Sequence, residues 1–209
     1  FTYAETLEAL QEKGAELCFF SPLEDTALPP NIGGLYLPGG YPELYAAQLA
    51  TNTAMRSAVK TAVESGLPTV AECGGFLYLG QTLEDADGKT YPMAGVLPGQ
   101  GVKIGHLVRF GYAALTSNAD SMLFAAGETL PIHEFHHWDS TANGTDFTAV
   151  KTNGAEVTFP KTEIGTTLAR TWHTIVVDAG SAGQANITID FDDTPTSVEE
   201  IDVELNPEA

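Results

Sequence analysis

The chain has 209 residues, 43% of them hydrophobic, enough for one domain with a real core or one domain plus an appendage. Its formal net charge is −19 with only nine Lys and Arg, which excludes nucleic acid as a partner because little is available to neutralise phosphates. No apolar run approaches a membrane span and no basic-then-apolar leader opens the chain. The two cysteines, Cys18 and Cys73, fit a reducing cytoplasm rather than a disulfide scaffold.

A first helix is predicted over residues 4–13, with Leu7 and Leu10 on one face and Gly14 at the C-cap position. Ala15-Glu16-Leu17-Cys18-Phe19-Phe20 reads as a buried strand, which makes Cys18 a small core residue. A Pro-containing loop follows over Ser21–Asn31, then a second buried strand over Ile32–Leu37. Pro38-Gly39-Gly40-Tyr41-Pro42-Glu43 forms a tight turn, and Pro42 suits the first turn of a helix. Asn52 is an N-cap for the next helix, through Met55, Val59 and Val63 to Gly66. Thr69–Glu72 is a strand that leads into Cys73-Gly74-Gly75 and an apolar helix. Strand and helix alternating at this spacing indicate an α/β parallel sheet. Beyond the Asp85–Lys89 turn, Pro92–Thr116 is β-rich, and Leu130–Trp138 carries three histidines. After Asp139, Thr, Gly, Asn and Asp become frequent. Short alternating runs stand at Glu156–Phe159, Thr174–Val177 and Asn186–Phe191, ahead of an acidic end from Glu199.

Chemistry concentrates at Cys73. A nucleophile between a strand and a helix is pushed out at the sheet's end, and two residues without Cβ let a substrate approach. A helix N-terminus behind the sulfur favours thiolate. A cysteine amidase also needs oxyanion donors and a base. Strand ends carry the ligand in such sheets, so the Gly39-Gly40 loop can face Cys73, with backbone N–H groups there and at Gly74 as donors. The base is expected among His133, His136 and His137.

His133-Glu134-Phe135-His136-His137 also matches H-E-x-x-H. On a helix, His133 and His137 would share a face and could bind zinc, with Glu134 as general base. Ile132, Phe135 and Trp138 favour a strand instead, with Glu134 and His136 on one side and His133, Phe135 and His137 on the other. His106 and His173, the other candidate ligands, carry no supporting pattern and read as ordinary histidines, and no metal is assigned.

Several motifs occur in a family's order: Phe19-Phe20-Ser21-Pro22-Leu23, Gly34 to Leu44 with its Pro-Gly-Gly-Tyr-Pro-Glu, Ala71 to Leu79 around Cys73, Tyr91 to Pro98, Gly111-Tyr112 and His133-Glu134-Phe135-His136. Over residues 1–138 the chain resembles the glutaminase domain of the cobyrinic acid a,c-diamide synthase family, class I glutamine amidotransferases of cobalamin biosynthesis. The resemblance implies a flavodoxin-like, mostly parallel sheet flanked by helices, its first strand missing ahead of Phe1, with a β-rich, acidic segment at 139–209 to which no function carries over. It implies that Cys73 attacks the glutamine side-chain amide and that N–H groups near Gly39, Gly40 and Gly74 hold the oxyanion. His136 acts as base, with His133 as fallback and Glu134 as orienting acid. Class I enzymes place that acid two residues after the base, where this chain has Trp138.

The resemblance further implies no cofactor in this chain, with ATP and Mg2+ held by a synthetase domain, in cis or in trans, that receives the ammonia, and a homodimer is a further expected assembly. Cobyric acid synthase and nickel-sirohydrochlorin diamide synthase are sister activities, and a partner-binding remnant without activity is the non-enzymatic alternative.

Overall fold

The computed structural model describes residues 2–104, 109–151 and 156–157. They divide into two compact units, one of residues 2–104 with 136–144, the other of residues 109–135 with 145–151 and 156–157. The boundary expected at 138/139 falls within the 136–144 segment of the first unit. His106, His173, the runs at 174–177 and 186–191 and the acidic end lie outside the described residues.

The first unit is built from helices on short strands. α1 (Ala4–Glu12) is followed by Gly14 at a φ of +91°, a left-handed cap position that glycine takes at least cost. β1 (Leu35–Leu37) runs parallel to β2 (Thr69–Ala71), with Leu35 opposite Thr69, Tyr36 opposite Val70 and Leu37 opposite Ala71. Between them come a 3-10 turn (Pro42–Leu44), α2 (Ala46–Thr51) and α3 (Thr53–Glu64). Asn52 caps α3 as its residue type suggests, its Oδ1 accepting the Met55 N–H at 3.2 Å. Met55, Val59 and Val63 recur at four-residue spacing and are buried against the sheet, each contributing about 2 kcal/mol of apolar burial. The Arg56 guanidinium donates to the Ala50 and Met93 carbonyls, and Lys60 Nζ to the Gly95 carbonyl, fastening α3 to the loop after β4.

α4 (Gly74–Leu79) follows β2 directly and is buried throughout. A four-stranded sheet then runs in the order β4-β3-β5-β8. β3 (Thr82–Glu84) and β4 (Thr90–Pro92) form a hairpin on the Asp85–Lys89 turn, where Asp85 Oδ1 accepts from the Asp87 and Lys89 N–H groups. β5 (Gln100–Lys103) is parallel to β3, and β8 (Trp138–Ser140) is antiparallel to β5.

The second unit holds a sheet in the order β10-β9-β6-β7, from β6 (Arg109–Ser117), β7 (Thr129–His136), β9 (Phe147–Lys151) and β10 (Glu156–Val157). Ala113, Leu115, Ile132 and Ala149 are buried in it, and Phe124 meets Phe147 edge-on at 5.9 Å.

The described residues are therefore a mixed α/β protein. Parallel pairing occurs at β1–β2 and β3–β5, and antiparallel pairing at β3–β4, β5–β8, β6–β9 and β9–β10. The strand predicted at Ala15–Phe20 is not formed. Cys18 is exposed and Phe19 is 76% exposed, contrary to the core role expected of Cys18. An apolar run becomes a strand only when a neighbouring backbone completes its ladder, and no described strand pairs with this one. Among the described residues no helix is long and apolar enough to cross a membrane.

Candidate active site

The strand-to-helix elbow is present. The Glu72 N–H donates to the Leu37 carbonyl at 2.9 Å, extending the β1–β2 ladder, and the chain then reverses at Cys73, φ +43° and ψ −107°. Cys73 and Asn31 are the non-glycine residues with positive φ among the described residues. Such a backbone costs about 1–3 kcal/mol for a residue with a Cβ, and strain of this kind clusters where a side chain must be presented. Three bonds fix the turn behind the sulfur. The Gly75 N–H donates to Glu72 at 2.7 Å and to Pro38 at 3.2 Å, and the Leu77 N–H donates to the Cys73 carbonyl at 3.1 Å.

The Gly39-Gly40 loop lies against this elbow, as the strand-end argument expects. A Cβ on Gly39 would sit 3.6 Å from Cys73 Cβ. A Cβ on Gly74 would stand 2.7 Å from the Gly40 carbonyl oxygen and 2.8 Å from Pro42 Cδ, and one on Gly75 would overlap the Leu37 carbonyl. The glycines are thus required for close approach of two backbones. The N–H groups of Gly40 and Gly74 donate to no acceptor among the described residues.

Two carboxyls flank the elbow. Glu72 Oε2 accepts from the Tyr36 hydroxyl at 3.1 Å. Burial pushes the Glu72 carboxyl above its ordinary range, against the pull of that hydrogen bond, and burial beside Glu72 raises the Tyr36 phenol. Glu43 is 8% exposed, and burial raises its carboxyl too, opposed by its own backbone N–H and by His137. His137 therefore stands within electrostatic reach of the loop that packs on the elbow. Sequence reasoning did not single out Tyr36, Glu43 or Glu72. The available signal was their position, Glu72 beside the thiol and Glu43 beside the glycine loop.

His136 ends β7 and belongs to the same compact unit as Cys73. Its Nδ1 lies 2.7 Å from the Trp138 carbonyl oxygen. A carbonyl can only accept, so Nδ1 is the donor. Nε2 is buried without a hydrogen-bond partner among the described residues. Trp138 is itself fixed, donating Nε1–H to the Glu84 carbonyl at 2.8 Å and lying under the Lys103 ammonium at 5.9 Å. Trp138 thus holds the imidazole through its backbone carbonyl.

The other predicted residues have different surroundings. His133 meets Tyr112 in a tilted ring contact, centroids 5.0 Å apart, in the second unit. Glu134 is 1% exposed, and its Oε2 accepts from Lys151 Nζ at 2.9 Å. The helical reading of His133-Glu134-x-x-His137 is replaced by a strand. Ile132 and Glu134 are buried on one side of β7 while Phe135 is exposed, so the shared helical face a zinc pair needs does not form. Among the described residues no three His, Cys, Asp or Glu side chains are grouped to hold a metal.

Comparison with known proteins gives the family of the chain. The family model for the CobB/CobQ-like glutamine amidotransferase domain matches residues 1–176. The chain is 47% identical over 136 residues to a Dehalococcoides mccartyi protein named cobyrinate a,c-diamide synthase, covering 65% of this chain and 29% of that relative. It is 46% identical over 142 residues to a Synechocystis protein of the same name (68% and 29%), and 44% identical over 144 residues to a Thermobifida fusca hydrogenobyrinate a,c-diamide synthase (69% and 29%). The chain thus spans about 29% of the length of these relatives.

Proposed function

The chain belongs to the CobB/CobQ-like glutamine amidotransferase domain family, and we propose that it hydrolyses glutamine at Cys73 to supply ammonia for a,c-diamidation of cobyrinic acid. The observation that carries this is the Cys73 elbow at φ +43°, closed on by the Gly39-Gly40 loop with the Gly40 and Gly74 N–H groups left unpaired.

The reaction follows from those groups. His136 Nε2 takes the thiol proton, and Cys73 Sγ attacks the side-chain amide carbon of glutamine. The carbonyl π bond opens to an oxyanion held by the Gly40 and Gly74 N–H groups. His136 returns its proton to the amide nitrogen, the C–N bond breaks and ammonia leaves. Water, deprotonated by the same imidazole, attacks the thioester, and collapse releases glutamate and the thiol. Each glutamine and water yields one glutamate and one ammonia. Gly39, whose absent side chain leaves room beside Cys73, lines the substrate's approach. His133 is the fallback base.

The remaining steps lie beyond this chain. A synthetase body that binds ATP and Mg2+ activates the two carboxylates, in cis or in trans. The relatives' names support diamide synthesis over the sister amidations. We read β1–β2 with its intervening helices as part of the flavodoxin-like sheet of class I glutaminases. The test is glutamine hydrolysis by the purified protein, with Cys73→Ala and His136→Ala as controls. Hydrolysis that survives Cys73→Ala overturns the assignment, as does its absence from the wild type with a synthetase partner present.

A further inference from the structure

The stretch that continues from the Gly39-Gly40 loop combines low charge with exposed apolar side chains. From Tyr41 to Met55 the one charged residue is Glu43, and it is buried. The chain as a whole carries 28 Asp and Glu with nine Lys and Arg. On this charge-free stretch Tyr41 is 67% exposed, Leu44 65% and Tyr45 51%. They sit on the 3-10 turn and at the start of α2, where nothing in the sequence requires large apolar side chains to face water. Alanine and glutamine, at Ala47 and Gln48, occupy the exposed positions that follow. Depletion of charge around exposed tyrosine and leucine is the composition of an interface centre. Single exposed apolar residues are ordinary, but three within five residues form a patch.

We propose that the charge-free face around Tyr41, Leu44 and Tyr45 docks the synthetase body that consumes the ammonia made at Cys73. The proposal rests on the glutaminase reading above. Three observations select this occupant over a second copy of the chain. The patch begins one residue beyond Gly40, and Pro42, between Tyr41 and Leu44, lies against Gly74, so the docking face and the elbow share one loop. More than two thirds of each relative's length lies outside the match, so a large body is at hand to cover it. Ammonia released to water at neutral pH takes up a proton and ceases to be a nucleophile, so the acceptor must close over the place of release. A second copy would cover the same face without supplying an acceptor.

The test uses Leu44→Ser and Tyr45→Ser, both at exposed positions and neither among the groups assigned to the chemistry. The protein is co-expressed with the part of the Dehalococcoides mccartyi relative that lies outside the match. Three rates are measured: glutamine hydrolysis by the chain alone, diamide formation from glutamine by the pair, and diamide formation by the pair from ammonium chloride. The expected result is hydrolysis within about twofold of wild type, glutamine-driven amidation lowered at least tenfold, and ammonium-driven amidation unchanged. Hydrogen exchange at residues 41–54 should slow when the wild-type pair forms.

Unchanged glutamine-driven amidation in both variants overturns the proposal. Failure of the wild-type pair to associate does the same, as does a homodimer that already protects residues 41–54. A pair that protects this face without any glutamine hydrolysis supports the docking and refutes the glutaminase reading, so the two failures are distinguishable.

Discussion

Replacing Gly74 by alanine tests the geometry of the elbow. The added Cβ would meet the Gly40 carbonyl oxygen at 2.7 Å and Pro42 Cδ at 2.8 Å, where ordinary contact begins at 3.4 Å. The loop or the helix must therefore retreat by about 0.7 Å. Neither neighbour is a flexible side-chain end, since one is backbone and the other a proline ring. Overpacking of this kind costs about 1–3 kcal/mol. Alanine gains up to about 1 kcal/mol over glycine in a helix, which offsets only part of that. For a chain of this size the net loss corresponds to a fall of roughly 2–8 °C in Tm. The catalytic effect should be larger, because the shift separates the two N–H groups assigned to the oxyanion. Displacements near 1 Å cost about a hundredfold in rate, so kcat for glutamine hydrolysis should fall ten- to a hundredfold, with a smaller change in KM. Gly33→Ala is the control, since its Cβ would meet nothing within 4 Å. A Gly74→Ala protein with wild-type Tm and kcat would refute the claim that loop and elbow are matched at this distance.

His136→Ala should lower kcat by about a hundred- to ten-thousandfold while His133→Ala, next to Tyr112, costs less than tenfold; the reverse ranking in a glutaminase assay transfers the base to His133. Lys151→Met removes the 2.9 Å donor from a carboxylate that is 1% exposed, so denaturant unfolding should show a loss of about 3–5 kcal/mol, recovered largely in the Glu134→Leu/Lys151→Met double variant. Glu72 is raised in the folded state above its ordinary 4.5, so its contribution to stability is fullest below that value and is lost as pH rises through the folded pKa. Glu72→Gln should therefore stabilise the protein relative to wild type at pH 7 and not at pH 4, and a difference that does not vary with pH would contradict the shift.

Much of the first unit was legible because its signals are local. Asn52 could be read as a cap, Gly66 as a stop, and the Met55, Val59, Val63 spacing as a buried face. Each depends on residues within a turn or two of one another. The Cys73 elbow was legible for the same reason: strand, thiol, two glycines and helix are contiguous in the chain. What failed depended on partners. Ala15–Phe20 has the composition of a strand, yet composition cannot supply the neighbouring backbone that makes one. Glu134 could be placed on the side of β7 shared with His136. That it meets Lys151 depends on a strand further along the chain and had no sequence signal. The Trp138 carbonyl was invisible for another reason, since every residue has one and side-chain identity does not reveal which carbonyl faces an imidazole.

The site also resolves a conflict set by composition. A chain at −19 surrounds any nucleophile with negative potential, which opposes thiolate and oxyanion alike. The groups proposed for the reaction limit this. His136 is held by a carbonyl, which positions the proposed base without placing a carboxylate behind it. The proposed oxyanion donors are backbone N–H groups, which bring positive dipoles and no side-chain counter-charge. The two nearby carboxyls, Glu43 and Glu72, are both pushed up by burial, which favours their uncharged forms. The loop then continues into a stretch without another charge until Arg56. Fewer charges near the elbow serve both steps assigned to this region, because surrounding carboxylates oppose thiolate formation and favour protonation of ammonia.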